Sequence, residues 1–225
     1  MEPNRDLSRY YANRAPEYER IYDKPERQSD QASLREKVAA LLAGRRVLEV
    51  ACGTGYWTRV AAPSARFILA TDFVEEVLAL ARTKPLPPGR VEFRIADAFT
   101  LDTVPPHSTS SPAFDAGLAA FLWSHIEKRR VPEFLTAFHR RLAPGARVVL
   151  LDNRYVAASS TPVCRTDNDG NTYQLRKLAD GTRHEVLKNF PSETDLRGFL
   201  TPFADELRYE ELTYHWLASY SAKPR

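Results

Sequence analysis

Six residues carry most of the chemistry legible in this 225-residue chain: Glu49, Gly53, Gly55, Asp72, Asp97 and His125. Both glycines sit in Ala51-Cys52-Gly53-Thr54-Gly55, directly behind the short apolar run Val47-Leu48-Glu49-Val50. Glycine has no Cβ, so the chain can turn sharply there and bring its backbone close to a ligand. The N–H groups that open a following helix are free to meet an anionic group. Asp72 ends the next apolar run, where an acidic side chain can take a pair of ribose hydroxyls. Asp97 ends the run after that. His125 follows the fourth, in Phe121-Leu122-Trp123-Ser124-His125. An unperturbed imidazole titrates near neutrality, so it reads either as a general base or as a hydrogen-bonded structural residue. Cys52 reads as a small packing residue rather than a nucleophile.

The elements that must position these residues follow an alternating rhythm. A helical pattern from Ser29 or Asp30 to Leu42 stops at Gly44. Strands are expected at Val47–Ala51, Arg66–Thr71, Val91–Ala96, Phe114–Ala120 and Arg147–Leu151. Helices are expected at Tyr56–Ala62, at Val74–Lys84, and after the fourth strand, with Pro132 in a first turn where its missing N–H costs nothing. This alternation predicts an α/β fold, a mostly parallel sheet with helices on both faces. Ligands of such sheets gather beyond the carboxyl ends of the strands, which is where Asp72, Asp97, Phe121 to His125 and Asp152 to Tyr155 fall. Beyond residue 152 the rhythm changes. Thr172–Leu178 and Thr182–Phe190 flank Ala179-Asp180-Gly181 and predict a β-hairpin inserted over the site. Ser192 is a candidate cap for a helix running to Phe203, with Asp195 in its first turn, and a last strand is expected at about Thr213–Ser221.

The segment Val47-Leu48-Glu49-Val50-Ala51-Cys52-Gly53-Thr54-Gly55 resembles motif I of the class I, Rossmann-like S-adenosylmethionine-dependent methyltransferases. The resemblance covers roughly Asp6 to Asp152 and implies a sheet whose last strand is antiparallel. It also implies S-adenosylmethionine as cofactor and S-adenosylhomocysteine as product. On that basis Ala51, Gly53, Thr54 and Gly55 cradle the cofactor, with Glu49 positioning its amino-acid end. Asp72 takes the ribose, Phe73 packs on the adenine, Asp97-Ala98-Phe99 meets the adenine amino group, and Phe121 borders the site. Tyr10-Tyr11-Ala12-Asn13-Arg14-Ala15-Pro16-Glu17-Tyr18 looks like the leading segment of the ubiquinone/menaquinone-biosynthesis-type enzymes. In those it folds over the cofactor, which makes Tyr11 and Tyr18 lid candidates alongside ordinary helix packing. The stretch Phe121 to His125 faces the methyl group in related enzymes, and His125 is the candidate base. Trp123, Asn153, Arg154, Tyr155 and Tyr173 are candidate acceptor-side residues, with Leu175, Arg176 and Trp216 as further options. Asp152-Asn153 is similar to the metal-dependent catechol enzymes. Those also need an acid ending the fourth strand, where this chain has Ala119-Ala120-Phe121, so no metal is expected.

One domain is expected: residues 1–43 a helical lid, 44–152 the cofactor core, 153–192 the hairpin cap, and 193–225 the final helix and strand. Two cysteines are too few for a disulfide framework or a zinc site, and no apolar run approaches the roughly 20 residues of a membrane span. The N-terminus lacks a signal-peptide segment, so a cytoplasmic protein is expected. Lys plus Arg number 32 against 29 acids, too even a balance to point at nucleic acid. Arg45-Arg46, Arg129-Arg130 and Arg140-Arg141 read as solvated residues near helix ends, and His107 and His139 as solvated too, while His184 and His215 stay open. The expected partner is a small-molecule methyl acceptor bound by a monomer or homodimer, methylated on oxygen or nitrogen. A nucleic-acid or protein methyltransferase and a non-catalytic cofactor-binding module remain as alternatives. A nicotinamide dehydrogenase is disfavoured because its fingerprint wants glycine or alanine where Thr58 stands.

Overall fold

The computed structural model describes residues 19, 22–107, 114–177 and 181–224. The lid candidates Tyr11 and Tyr18 lie outside these. A first helix, α1, spans Gln28–Leu41. The alternating core follows: β1 (Arg46–Val50), α2 (Tyr56–Ala61), β2 (Phe67–Asp72), α3 (Glu75–Arg82), β3 (Val91–Ile95), β4 (Phe114–Ala120), α4 (Val131–His139) and β5 (Leu142–Asn153). Strands β6 (Val163–Thr166), β7 (Thr172–Lys177) and β8 (Arg183–Leu187) come next, then α5 (Glu193–Leu200), β9 (Ala204–Glu211) and β10 (His215–Ala222).

Seven strands form one sheet in the order β3-β2-β1-β4-β5-β10-β9. The first five are parallel, and β10 runs antiparallel to both β5 and β9. Side chains alternate across a strand, so a sheet covered on both faces needs apolar residues at successive positions. Strand β5 meets this need. Val148 and Leu150 pack with Phe134, Phe138 and Leu196 on one face, while Val149 and Leu151 pack with Leu34, Val38 and Trp57 on the other. Gly117 in β4 lets α4 settle on the sheet, since a Cβ there would meet Phe138 Cζ at 2.6 Å. Helix α5 starts at a reciprocal cap, with Asp195 N–H donating to Ser192 Oγ at 3.1 Å and Ser192 N–H to Asp195 Oδ2 at 2.9 Å.

Several expectations need correction. The chain ends in a pair of strands rather than one, α5 stops at Leu200, and the cap is a three-stranded sheet, β6-β7-β8, rather than a bare hairpin. Strand β5 begins at Leu142, where a register shift pairs it early with Phe114. His139 is buried, with Nδ1 2.6 Å from Leu135 O and Nε2 3.1 Å from Tyr220 Oη. Arg141 is buried as well and donates to the carbonyls of Thr100, Leu101 and Val104.

Candidate active site

Sequence places the glycine turn at the carboxyl end of β1, and three contacts make a rigid cradle of it. Gly53 and Gly55 have φ of +56° and +77°, the left-handed region that side chains resist. A Cβ on Gly53 would meet nothing within 4 Å, leaving the turn open on its outer side, whereas one on Gly55 would strike Ala81 Cβ at 3.0 Å. Asp72, ending β2, accepts from Gly53 N–H at 2.8 Å and from Val74 N–H at 3.0 Å. The acid and the turn are therefore one unit. Burial raises the Asp72 pKa despite these N–H donors. Beneath the turn Glu49 accepts from Thr58 Oγ1 at 2.7 Å, and burial pushes its pKa up to about 8. Burial also raises the Cys52 thiol well above its ordinary value, which keeps it an unreactive packing group.

Two exposed apolar side chains flank the neighbouring strand ends. Phe73 is 46% exposed and Ile95 41%. Asp97 folds its carboxylate onto Phe99 N–H at 2.8 Å, and the Phe99 ring lies beneath the Arg130 guanidinium at 3.6 Å. A flat heterocycle with a polar edge fits between such apolar walls and carboxylates. Glu19 is held at this end. It accepts from Thr54 Oγ1 at 2.7 Å and from Lys84 Nζ at 2.5 Å. Beside it Tyr22 stacks on Tyr56 at 3.8 Å and meets Phe121 edge-on at 5.7 Å.

At the ends of β4 and β5 the chain builds a different environment. Ala51 and Phe121, which follow neighbouring strands, both hold positive φ (53° and 60°), a strained conformation for a residue with a side chain. His125 Nδ1 lies 2.8 Å from the carbonyl oxygen of Leu187 in β8. A carbonyl only accepts, so Nδ1 carries the hydrogen and Nε2 is the ring's accepting nitrogen. Burial, then the nearby Lys188 ammonium, hold the imidazole pKa well below its ordinary value. Lys188 is itself buried, 2.5 Å from Ser124 Oγ and 3.2 Å from Asp152 Oδ1. Burial works to raise the Asp152 pKa, yet Lys188 and the N–H groups of Ser124 and Asn153 hold it below the usual range. Asn189 N–H donates to Ser124 O at 2.8 Å, and Asn189 Nδ2 to Ile126 O at 2.9 Å. The cap is thus fastened to the loop that carries His125.

A methyltransferase-domain family model matches residues 47–145. A demethylmenaquinone methyltransferase of Clavibacter sepedonicus is 35% identical over 117 residues, 52% of this chain and 44% of that one. A ubiquinone biosynthesis O-methyltransferase of Xanthomonas euvesicatoria pv. vesicatoria is 29% identical over 161 residues, 71% of this chain and 62% of that one. The chain therefore spans less than two thirds of the length of these curated relatives. A solved complex of DhpI with SAH superposes with a TM-score of 0.75 at 29% identity, covering 97% of this chain and 96% of that one. Residues 47–145 thus match a methyltransferase domain, and the fold is that of the class I S-adenosylmethionine-dependent methyltransferases.

Within this fold the residues marked from sequence divide into three groups. Ala51, Gly53, Thr54, Gly55, Asp72, Phe73, Asp97, Ala98 and Phe121 lie at adjacent strand ends, with Glu49 beneath them. His125 sits at the same carboxyl edge. The acceptor-side set separates. Trp123 is buried in the core, edge-on to Trp216 and Phe199, so neither tryptophan is free to wall a pocket. Tyr173 is on the solvent face of the cap, its hydroxyl donating to Asp167 and its ring under Arg165. Leu175 shares that face. Arg154 turns to the sheet edge, bonding Leu212 O and pairing with Glu211. Asn153 stays at the strand end, accepting from Arg27 at 3.0 Å, and Tyr155 is exposed against Phe190. His215 ties β10 to α1, with Nδ1 3.0 Å from Asp30 Oδ2. Burial lowers its pKa. Lys188, Ser124, Arg27 and Glu19 went unmarked. Only the i, i+2 alternation of His184, Val186 and Lys188 hinted that the lysine faces inward.

Proposed function

We propose that this methyltransferase moves a methyl group from S-adenosylmethionine to an oxygen or nitrogen of a small acceptor held between the strand ends and the β6–β8 cap. The observation that carries the reading is the junction of Asp72 with Gly53 N–H, which joins a hydroxyl-accepting carboxylate to a turn open to ligand. When bound, S-adenosylmethionine supplies an electrophilic methyl on a positively charged sulfur. The chain's own groups do the rest. Asp72 accepts from the ribose hydroxyls, Phe73 covers the adenine, Asp97 accepts at its amino edge, and Glu49 faces the amino-acid end. Displacement at the methyl carbon needs donor and acceptor in line and little else, so holding both in a dry pocket supplies most of the acceleration. His125 Nε2 takes the proton that a hydroxyl or ammonium acceptor must lose. The low imidazole pKa keeps that nitrogen unprotonated at neutral pH. Calorimetric titration with S-adenosylmethionine and S-adenosylhomocysteine, followed by mass analysis of acceptor mixtures, tests the proposal. Micromolar binding and a product heavier by one methylene support it, and a folded protein that binds neither refutes it.

A further inference from the structure

The two faces of the cap treat arginine differently. On the solvent face Arg165 pairs with Glu185 at 2.6 Å. On the inner face, where Gln174 is buried, Arg176 donates to Gln174 Oε1 at 2.8 Å, its one hydrogen-bonded side chain among the described residues. Its Nε is buried and meets no acceptor among the described residues. A second guanidinium lies at the same edge. Arg27 donates to Asn153 Oδ1, Ser159 Oγ and Ser159 O, all uncharged acceptors, and among the described residues neither arginine forms an ion pair. Burial lowers the pKa of Arg27, and Arg176 is among the charges that lower it further, as it is for His125. The geometry agrees: Arg27 bonds Asn153 next to Asp152, which holds Lys188, while Arg176 pairs with β8, whose Leu187 holds His125. A buried donor left without a partner costs about 1–3 kcal/mol, and a guanidinium fork matches an oxyanion in shape and charge.

We propose that the acceptor carries an oxyanion, a carboxylate or a phosphoryl group, received by Arg176 with Arg27 beside it. This rests on the proposed methyl transfer and deepens it: the anionic group is the handle, and the atom to be methylated is presented to His125. A cationic pocket mouth also draws an anionic acceptor toward the site and disfavours neutral analogues. The test uses the full chain saturated with S-adenosylhomocysteine and titrated calorimetrically with inorganic phosphate and, separately, with acetate. Wild type should bind at least one of them at millimolar concentration. Arg176→Gln should weaken that binding about tenfold or more, and Arg176→Lys should restore part of it. Arg183→Gln, an exposed change of equal charge on the same cap, should leave the affinity within about twofold. A preference for phosphate identifies a phosphoryl handle and a preference for acetate a carboxylate. No binding of either anion by wild type, or equal losses in Arg176→Gln and Arg183→Gln, would overturn the proposal. Failure of wild type to bind S-adenosylhomocysteine overturns the donor reading instead, and the anion titrations are then read on the free protein.

Discussion

Glu49 ties the cofactor end to a proton that can be counted. Its carboxyl lies buried under the glycine turn with a pKa of about 8, so in the free protein it is neutral near pH 6. The ammonium of the bound cofactor's amino-acid end, placed beside it in the proposed function, favours the carboxylate. Binding below pH 8 must then expel a proton, and the cost of doing so shrinks by about 1.4 kcal/mol for each unit the pH rises. Because the pKa is raised, affinity climbs with pH up to the pKa and flattens beyond it. S-adenosylhomocysteine should bind about tenfold tighter at pH 7 than at pH 6. Calorimetry in two buffers of different ionisation heat reads the proton itself. Close to one should be released at pH 6.5 by wild type and none by Glu49→Gln, whose affinity should not vary over that range. A flat wild-type profile, or a variant that still releases the proton, would refute the placement of Glu49 against the ammonium.

Further expectations test other parts of the fold. Gly55→Ala forces a Cβ onto Ala81 at positive φ and should cost about 1–2 kcal/mol in urea unfolding, with cofactor affinity falling alongside. Lys188→Met strands Asp152 in the interior and should cost about 3–5 kcal/mol, while adding Asp152→Leu should recover much of the loss; equal instability of single and double variants would count against a coupled pair. His125→Ala should lower turnover roughly 100-fold at unchanged cofactor affinity. In wild type the acid limb of kcat against pH should fall below 6.5, because burial and Lys188 depress the imidazole pKa; a limb at or above 6.5 would contradict that placement.

The parallel half of the fold was legible because its strands are covered on both faces. Val148 to Leu151 is an unbroken apolar run, Val47 to Val50 is interrupted only by Glu49, and each feeds both cores. The strands that escaped notice lack that signal. Strand β6 is exposed at every residue, and β9 is dominated by charged and polar side chains at the sheet edge. Their pairing is decided by partners remote in sequence. The glycine turn and the strand-end acids were visible for the same reason as the strands, since each is a local pattern. Lys188 was not, because a lysine is ordinarily solvated and its partner Asp152 lies 36 positions away. Tyr173 and Arg176 show the limit at finer grain. Within one strand, three residues apart, the candidates divide between opposite faces, and the buried Gln174 on the Arg176 side marks the inner one.

The fastening of His125 to the cap has an engineering consequence. One backbone carbonyl, that of Leu187, selects the imidazole tautomer, and the adjoining Lys188 and Asn189 anchor the same loop. Transplanting a whole foreign cap onto this scaffold would exchange the proposed acceptor-facing surface and, in the same cut, release the proposed proton acceptor from its register. Retargeting the enzyme is therefore a task for single positions on the inner surface of β7 and β8, such as 174, 176 and 184, with residues 187 to 189 left untouched.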